Sequence, residues 1–151
     1  MQYGLLSELG SLGVSRIGLG CMGLSEFYGV PTSEAEGIHL IHSAFHDFGI
    51  NFFDTADMYG CGSNEVLLGK AIATLPRDKI IVATKCGMVR DPLNPTYRGL
   101  DGSAEYIASA LEVSLKRLNI PYIDLFYLHR VDPKVPFEES IHALAKLVRE
   151  G

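Results

Sequence analysis

The chain lacks any excess of positive charge: its 151 residues carry 13 Lys and Arg against 18 Asp and Glu, for a net charge of −5 at pH 7. Nucleic acids and anionic membrane surfaces are bound through clustered basic side chains, and the basic residues here are scattered, so neither partner is expected. Long apolar runs are missing too. None approaches the roughly 18 residues that a membrane span takes, and the opening Met1 to Ser11 has neither the basic nor the apolar region of a signal peptide. A cytoplasmic location is the expectation. Cysteine is scarce: Cys21, Cys61 and Cys86 are an odd set without CxxC spacing, which fits reduced thiols rather than a disulfide framework. What is present is 47% hydrophobic and 21% charged residues, with 16 glycines and 7 prolines, the make-up of one globular α/β domain over residues 1–151. A chain of this size buries roughly 68–70% of its unfolded surface, so it needs no metal or disulfide to hold a core.

The pattern of elements repeats even though no sequence repeat stands out. A glycine-punctuated segment from Tyr3 to Val14 suits a short hairpin, and Ser15 to Leu19 reads as a first strand. Ser33 with Glu36 forms a capping box, followed by apolar residues Ile38, Ile41, Phe45 and Phe48 at helical spacing and by Gly49 as a stop. Ile50 to Asp54 is the second strand, Asn64 to Leu75 the next helix, and the β-branched run Lys79 to Lys85 the third strand. A polar loop with Pro92, Pro95, Gly99 and Gly102 leads to Ser103, a good N-cap, and to a helix with Ile107, Leu111, Ser114, Leu115 and Leu118 on one side. Tyr122 to His129 is the fourth strand, and Pro136 to Glu150 a helix with stripe Phe137, Ile141, Leu144, Ala145 and Val148. Four βα units in succession predict a parallel sheet, either open and doubly wound or part of a closed (β/α)₈ barrel.

Gly18 to Gly23 matches GxGxxG directly after a predicted strand, which invites a dinucleotide-binding reading. That fingerprint requires its third glycine to lie already in the helix facing the pyrophosphate, with an acidic residue about 20 positions on. Leu24 to Thr32, with Pro31, intervene before the first cap, and the next strand ends only at Asp54. A glycine-rich βα loop, open to close approach by a ligand, fits better.

Asp54, Lys85 and His129 end three successive predicted strands, and Tyr59 follows Asp54 in the next loop. The C-terminal edge of a parallel sheet hosts active sites, and strands about 4.8 Å apart can bring three such ends into one volume. A tyrosine hydroxyl is a weak acid near neutrality, and an adjacent ammonium favours release of its proton. Lys85 can supply that charge and Asp54 can hold it. His129 can donate to a substrate oxygen, leaving a carbonyl between it and Tyr59. Such a set protonates a carbonyl oxygen as it becomes an alcohol but contains no hydride source, so a reduced nicotinamide is implied.

These residues resemble the aldo-keto reductases. The matching text is Gly18 to Met22, then Phe53-Asp54-Thr55-Ala56-Asp57-Met58-Tyr59-Gly60 with Glu65 and Leu68-Gly69, then Ala83-Thr84-Lys85, and Asp124 to Arg130. Cys21-Met22-Gly23, Phe27-Tyr28-Gly29 and Asn64-Glu65 are most similar to the auxin-induced and perakine-reductase-like plant branch. The resemblance implies a (β/α)₈ barrel, NADPH as cofactor, a small carbonyl substrate, Tyr59 as general acid, Lys85 and Asp54 as its tuning pair, and His129 as the residue orienting the carbonyl. It further implies that Gly20, Cys21, Met22 and Asp54 border the cofactor.

A full barrel takes about 250 residues, and this chain supplies four of the eight units, so it is expected to be the N-terminal half, lacking most of the cofactor's adenosine and 2′-phosphate pocket. Open edges on the outer strands are expected to favour association. Two further readings follow: an inactive half-barrel that binds a relative, and a redox-sensing binding subunit like those attached to channels. Among the remaining residues, Tyr122 and Tyr127 read as core, and Cys86 as a buried inert thiol. His39, His42 and His46 share a helical stripe without the carboxylates of a metal centre. His142 reads as solvated, and Arg90 and Arg98 as loop residues within reach of substrate or phosphate.

Overall fold

The computed structural model describes residues 8–9, 12–91 and 93–151. In chain order the elements are β1 (Glu8–Leu9), β2 (Leu12–Gly13), β3 (Leu19–Gly20), α1 (Glu34–His46), β4 (Phe52–Asp54), α2 (Ser63–Ile72), β5 (Ile81–Cys86), β6 (Met88–Asp91), β7 (Asn94–Leu100), α3 (Ala104–Leu118), β8 (Leu125–Leu128) and α4 (Phe137–Glu150). β1 and β2 pair antiparallel, as a hairpin requires; residues 3–7 of the expected Tyr3–Val14 hairpin and its turn at 10–11 lie outside the described residues.

β3, β4, β5 and β8 form one parallel sheet whose strand order follows the chain. A doubly wound sheet reverses its order at a switch point; this one does not. The helices pack α1 on α2, α2 on α3 and α3 on α4, so they too run in sequence, as one layer. Sequential strands inside sequential helices are the geometry of a partial (β/α) barrel. β5 is buried along its whole length, as a central parallel strand covered on both faces should be. The main core lies between sheet and helices, with Ile41, Phe53, Leu68, Ala71, Ile80, Val82 and Leu118 at its centre.

Local chemistry explains the helix starts. Ser33 Oγ accepts from the Glu36 N–H, while the Ser33 N–H donates to Glu36 Oε2 at 3.2 Å, the reciprocal capping box. Ser103 Oγ accepts from the Tyr106 N–H at 3.3 Å. Gly69 is needed for close approach: a Cβ there would lie 2.5 Å from the Leu118 carbonyl oxygen, so only glycine lets α2 come this near the end of α3.

Several expectations are corrected. The first strand is Leu19–Gly20, because Ser15 turns away to exchange hydrogen bonds with Asn51 and to donate to the Ile17 carbonyl. The polar segment after Lys85 is a hairpin, β6 with β7. Its turn is closed by the Leu93 N–H donating to Asp91 Oδ1 at 2.8 Å, an Asx turn that the proline count concealed. Tyr122 is not core: it is exposed, with the Arg77 guanidinium stacked 3.9 Å from its ring centroid. Phe48, Phe137, Ile141 and Val148 are exposed as well. α4 packs chiefly against α3 and presents Ser140 and Ala143 inward, so three of the five residues of its apolar stripe have no cover among the described residues.

Candidate active site

The sheet register brings the strand ends together. Gly20 lies beside Asp54, Asp54 beside Ala83, and Lys85 beside Tyr127. β4 therefore delivers Asp54, β5 delivers Lys85, and the loop after β8 delivers His129, whose N–H donates to the Cys86 carbonyl at 2.8 Å. Beyond β4 the chain passes through Ala56 and Met58, both buried, into a short helical turn that begins at Tyr59.

Lys85 is the hub. Its Nζ donates to Asp54 Oδ1 at 2.5 Å, to the Thr55 carbonyl at 2.8 Å and to Tyr59 Oη at 3.1 Å. An ammonium has three donors and no acceptor, so this set is complete, and the phenol is an acceptor towards Lys85. The Tyr59 proton is thereby left for another partner. The Tyr59 and His129 rings meet edge to face, with centroids 5.5 Å apart. Burial, then the charges of Lys85 and Arg130, hold the His129 imidazole below its ordinary range despite Asp54, so it is neutral at pH 7. Its Nδ1 is enclosed and has no hydrogen-bond partner among the described residues.

Asp54 is held from two sides. Besides Lys85, it accepts from the Tyr127 hydroxyl at Oδ2. Tyr127 is thus a site-bordering residue rather than the core residue expected from its strand position. Burial, then Asp54, raises its phenol well above the ordinary value and keeps it a donor. Alternation along β8 carried no sign of this role; only pairing with Lys85 reveals it.

The first turn of α2 braces the site. Asn64, buried, donates through Nδ2 to the Cys21 carbonyl at 2.8 Å and to Ser25 Oγ at 2.7 Å, and accepts from Thr55 Oγ1 at 2.6 Å. Glu65, fully buried, accepts from Thr84 Oγ1 at 2.7 Å and from Arg117 Nη1 at 3.1 Å. Beside it, Asp57 accepts from the Tyr106 hydroxyl at 3.1 Å. Burial, then the Glu65 charge, pushes the Asp57 carboxyl up to about 7.

The glycine-rich loop divides. Gly20 is exposed, and a Cβ there would meet nothing within 4 Å; Met22 is half-buried against the cluster of Ala56, Met58 and Tyr59. Cys21, expected to border a cofactor, is enclosed among its neighbours. Its side chain is fully buried, its N–H donates to the Asp54 carbonyl, and its own carbonyl is taken by Asn64. Burial, then Asp54, pushes its thiol up to about 12, and burial does the same for Cys86. Of the other candidates, His42 Nε2 is bonded to the Ala71 carbonyl oxygen at 2.8 Å, Arg98 donates to the Tyr97 carbonyl, and His142 is exposed. Arg90 is turned inward to Glu26 and the Met58 carbonyl, not outward to a phosphate.

The pattern of the aldo/keto reductase family matches residues 16–151. A curated Glycine max protein named "Probable aldo-keto reductase 1" is 51% identical over 146 residues, which are 95% of this chain and 41% of that protein. Among solved structures, the holo form of aldo-keto reductase AKR11C1 from Bacillus halodurans superposes with a TM-score of 0.81 at 38% identity, over 93% of this chain and 44% of its own. The glycerol dehydrogenase AKR11B4 from Gluconobacter oxydans gives 0.84 at 34% identity, over 93% of this chain and 43% of its own. The chain therefore spans less than half the length of these relatives.

Proposed function

The chain belongs to the aldo/keto reductase family, and from that premise we propose that its strand-end residues are the proton-donating part of an NADPH-dependent reductase that converts aldehyde and ketone carbonyls to alcohols. The observation that carries this reading is the filled donor set of Lys85: with Asp54, Thr55 and Tyr59 all accepting from one ammonium, the phenol is polarised and its proton points elsewhere. Tyr59 is the general acid. Lys85 stabilises the phenolate left after proton transfer, and Asp54, itself gripped by Tyr127, keeps Lys85 charged. His129, neutral and beside the Tyr59 ring, donates to the carbonyl oxygen and fixes which of its lone pairs faces the phenol.

The residues fit a nicotinamide at this edge. Gly20 offers open backbone beside Asp54, and Met22 an apolar surface next to Tyr59; these two, with Asp54, would border the ring. When bound, NADPH supplies the hydride that reduces the carbonyl carbon. The domain is read as a single unit over residues 1–151, the first half of a barrel whose other four units would carry the adenosine and 2′-phosphate contacts. Three cysteines without a disulfide suit a reducing, cytoplasmic setting, and the motif around Cys21-Met22-Gly23 and Phe27-Tyr28-Gly29 carries the reading of a plant auxin-induced-like branch, a Glycine max relative being 51% identical. The test is loss of NADPH absorbance on adding a simple aldehyde. Turnover that disappears in Tyr59→Phe supports the reading; no turnover and no NADPH binding overturn it for this chain.

A second reading has its own support. β3 and β8 each pair on one side only among the described residues, so the sheet offers two free edges to a relative, and the chain would then act as a non-catalytic half. Light scattering separates the two: a larger species without turnover favours association, and a monomer opposes it.

A further inference from the structure

Neither Glu26 nor Arg90 belongs to the Lys85 cluster, yet together they hold the peptide groups on both sides of Tyr59. Glu26 lies in the loop between β3 and α1, and Arg90 on β6. Arg90 Nη1 is 2.9 Å from Glu26 Oε1, with side chains only 8% and 17% exposed. The same Nη1 donates to the Met58 carbonyl at 3.2 Å. Glu26 Oε2 accepts from the Gly60 N–H at 2.9 Å. Met58 and Gly60 are the residues immediately before and after Tyr59, so one ion pair grips the backbone at each flank.

The segment needs such a grip. Gly60, Cys61 and Gly62 have φ of +55°, +52° and +94°, three left-handed residues in succession, and Cys61 pays the steric penalty of a side chain there. Local bonds still cross it, from the Tyr59 N–H to the Ala56 carbonyl at 3.2 Å and from the Cys61 N–H to the Met58 carbonyl at 3.1 Å, but each closes only a single turn of an irregular backbone. A Cβ on Gly60 would lie 2.2 Å from Ser63 Oγ, so the turn is also tightly closed. Contacts from outside the segment, at the Met58 carbonyl and the Gly60 N–H, reinforce these turn bonds and help set the direction in which the Tyr59 ring leaves it.

We propose that Glu26 and Arg90 are positioning residues: by fixing the Met58 carbonyl and the Gly60 amide they aim Tyr59 at Lys85 and at the face it shares with His129. The proposal rests on the reading of Tyr59 as general acid. Misplacing a reacting group by about 1 Å costs on the order of 100-fold in rate, so loosening this clamp lowers kcat while leaving KM nearly unchanged.

The test uses three variants of the chain: Glu26→Ala, Arg90→Met, and the charge swap Glu26→Arg with Arg90→Glu. The swap restores an ion pair between loop and hairpin but sets a donor against the Gly60 N–H and an acceptor against the Met58 carbonyl. A merely structural pair is rescued by the swap; a clamp on Tyr59 is not. The readouts are kcat and KM for NADPH-driven aldehyde reduction, thermal midpoint, and the nuclear Overhauser contact between the Tyr59 and His129 rings in the unliganded chain. Expected is a fall in kcat of about 10- to 100-fold with KM within about threefold and a weakened ring contact in all three variants, the swap keeping the parent's midpoint. Recovery of kcat or of the ring contact in the swap overturns the proposal, as does an undiminished ring contact in the single variants. If the parent chain shows neither turnover nor NADPH binding, the reading of Tyr59 as acid fails for this chain by itself, and the ring contact still decides whether the clamp exists.

Discussion

The Tyr127 hydroxyl donates to the Asp54 carboxylate across the intervening strand, so the group that holds Lys85 is itself held from β8. The carboxylate therefore has little freedom to swing away when charge moves on the phenol. Tyr127→Phe removes one hydrogen bond to a charged group, worth about 1.5–3 kcal/mol. The expected outcome is a lower unfolding midpoint in urea and a fall in kcat of several-fold, with KM for the aldehyde unchanged; an unaltered kcat would show that Lys85 alone fixes Asp54.

Asp54 and Lys85 are coupled, and the coupling is measurable. Asp54→Asn leaves the Lys85 ammonium, 10% exposed, without its counter-ion and should destabilise the chain by about 3 kcal/mol. Lys85→Met in the same chain removes the stranded charge, so the double variant should recover much of that loss while still failing to reduce an aldehyde. Strictly additive losses in a double-mutant cycle would contradict the pairing.

Asp57 gives the chain a definite pH response. Its carboxyl rises from an ordinary 3.8 to about 7, through burial and then the Glu65 charge. The folded state therefore holds this proton more tightly than the unfolded chain. Its contribution to stability is full below about pH 4 and is lost as pH rises towards 7. Asp57→Asn keeps an oxygen that accepts from Tyr106 and removes the titration. It should flatten the stability profile between pH 4 and 7 and add about 4 kcal/mol at pH 8, measured by urea unfolding at each pH.

Gly69 is a packing requirement. With a Cβ placed 2.5 Å from the Leu118 carbonyl oxygen, Gly69→Ala forces α2 and α3 apart, and overpacking of this kind costs about 1–3 kcal/mol. The gain in helix propensity from alanine is about 1 kcal/mol and offsets only part of it. Thermal unfolding should show a lowered midpoint; a raised one would mean that the helix end moves freely.

Much of this protein is determined locally and is legible in the residues. The capping residues Ser33 and Ser103, the apolar run of β5 and the alternation of strands with helices depend on neighbours in the chain, so four βα units and their order follow from sequence. Asp54, Lys85 and His129 could be set at one edge because parallel strands all end on the same side, whatever surrounds them. Other features depend on what lies beside a residue in space. The sequence could not choose between a doubly wound sheet and a barrel, since that rests on strand order across the sheet. It could not place Tyr127 against Asp54, enclose Cys21, or turn Arg90 towards Glu26, because each depends on register and on the close approach of segments far apart in the chain. Nor could it tell which apolar stripes are covered: Val148 has the spacing of a core residue and is 82% exposed, because burial is decided by the neighbour that packs on a face, and periodicity fixes only the face.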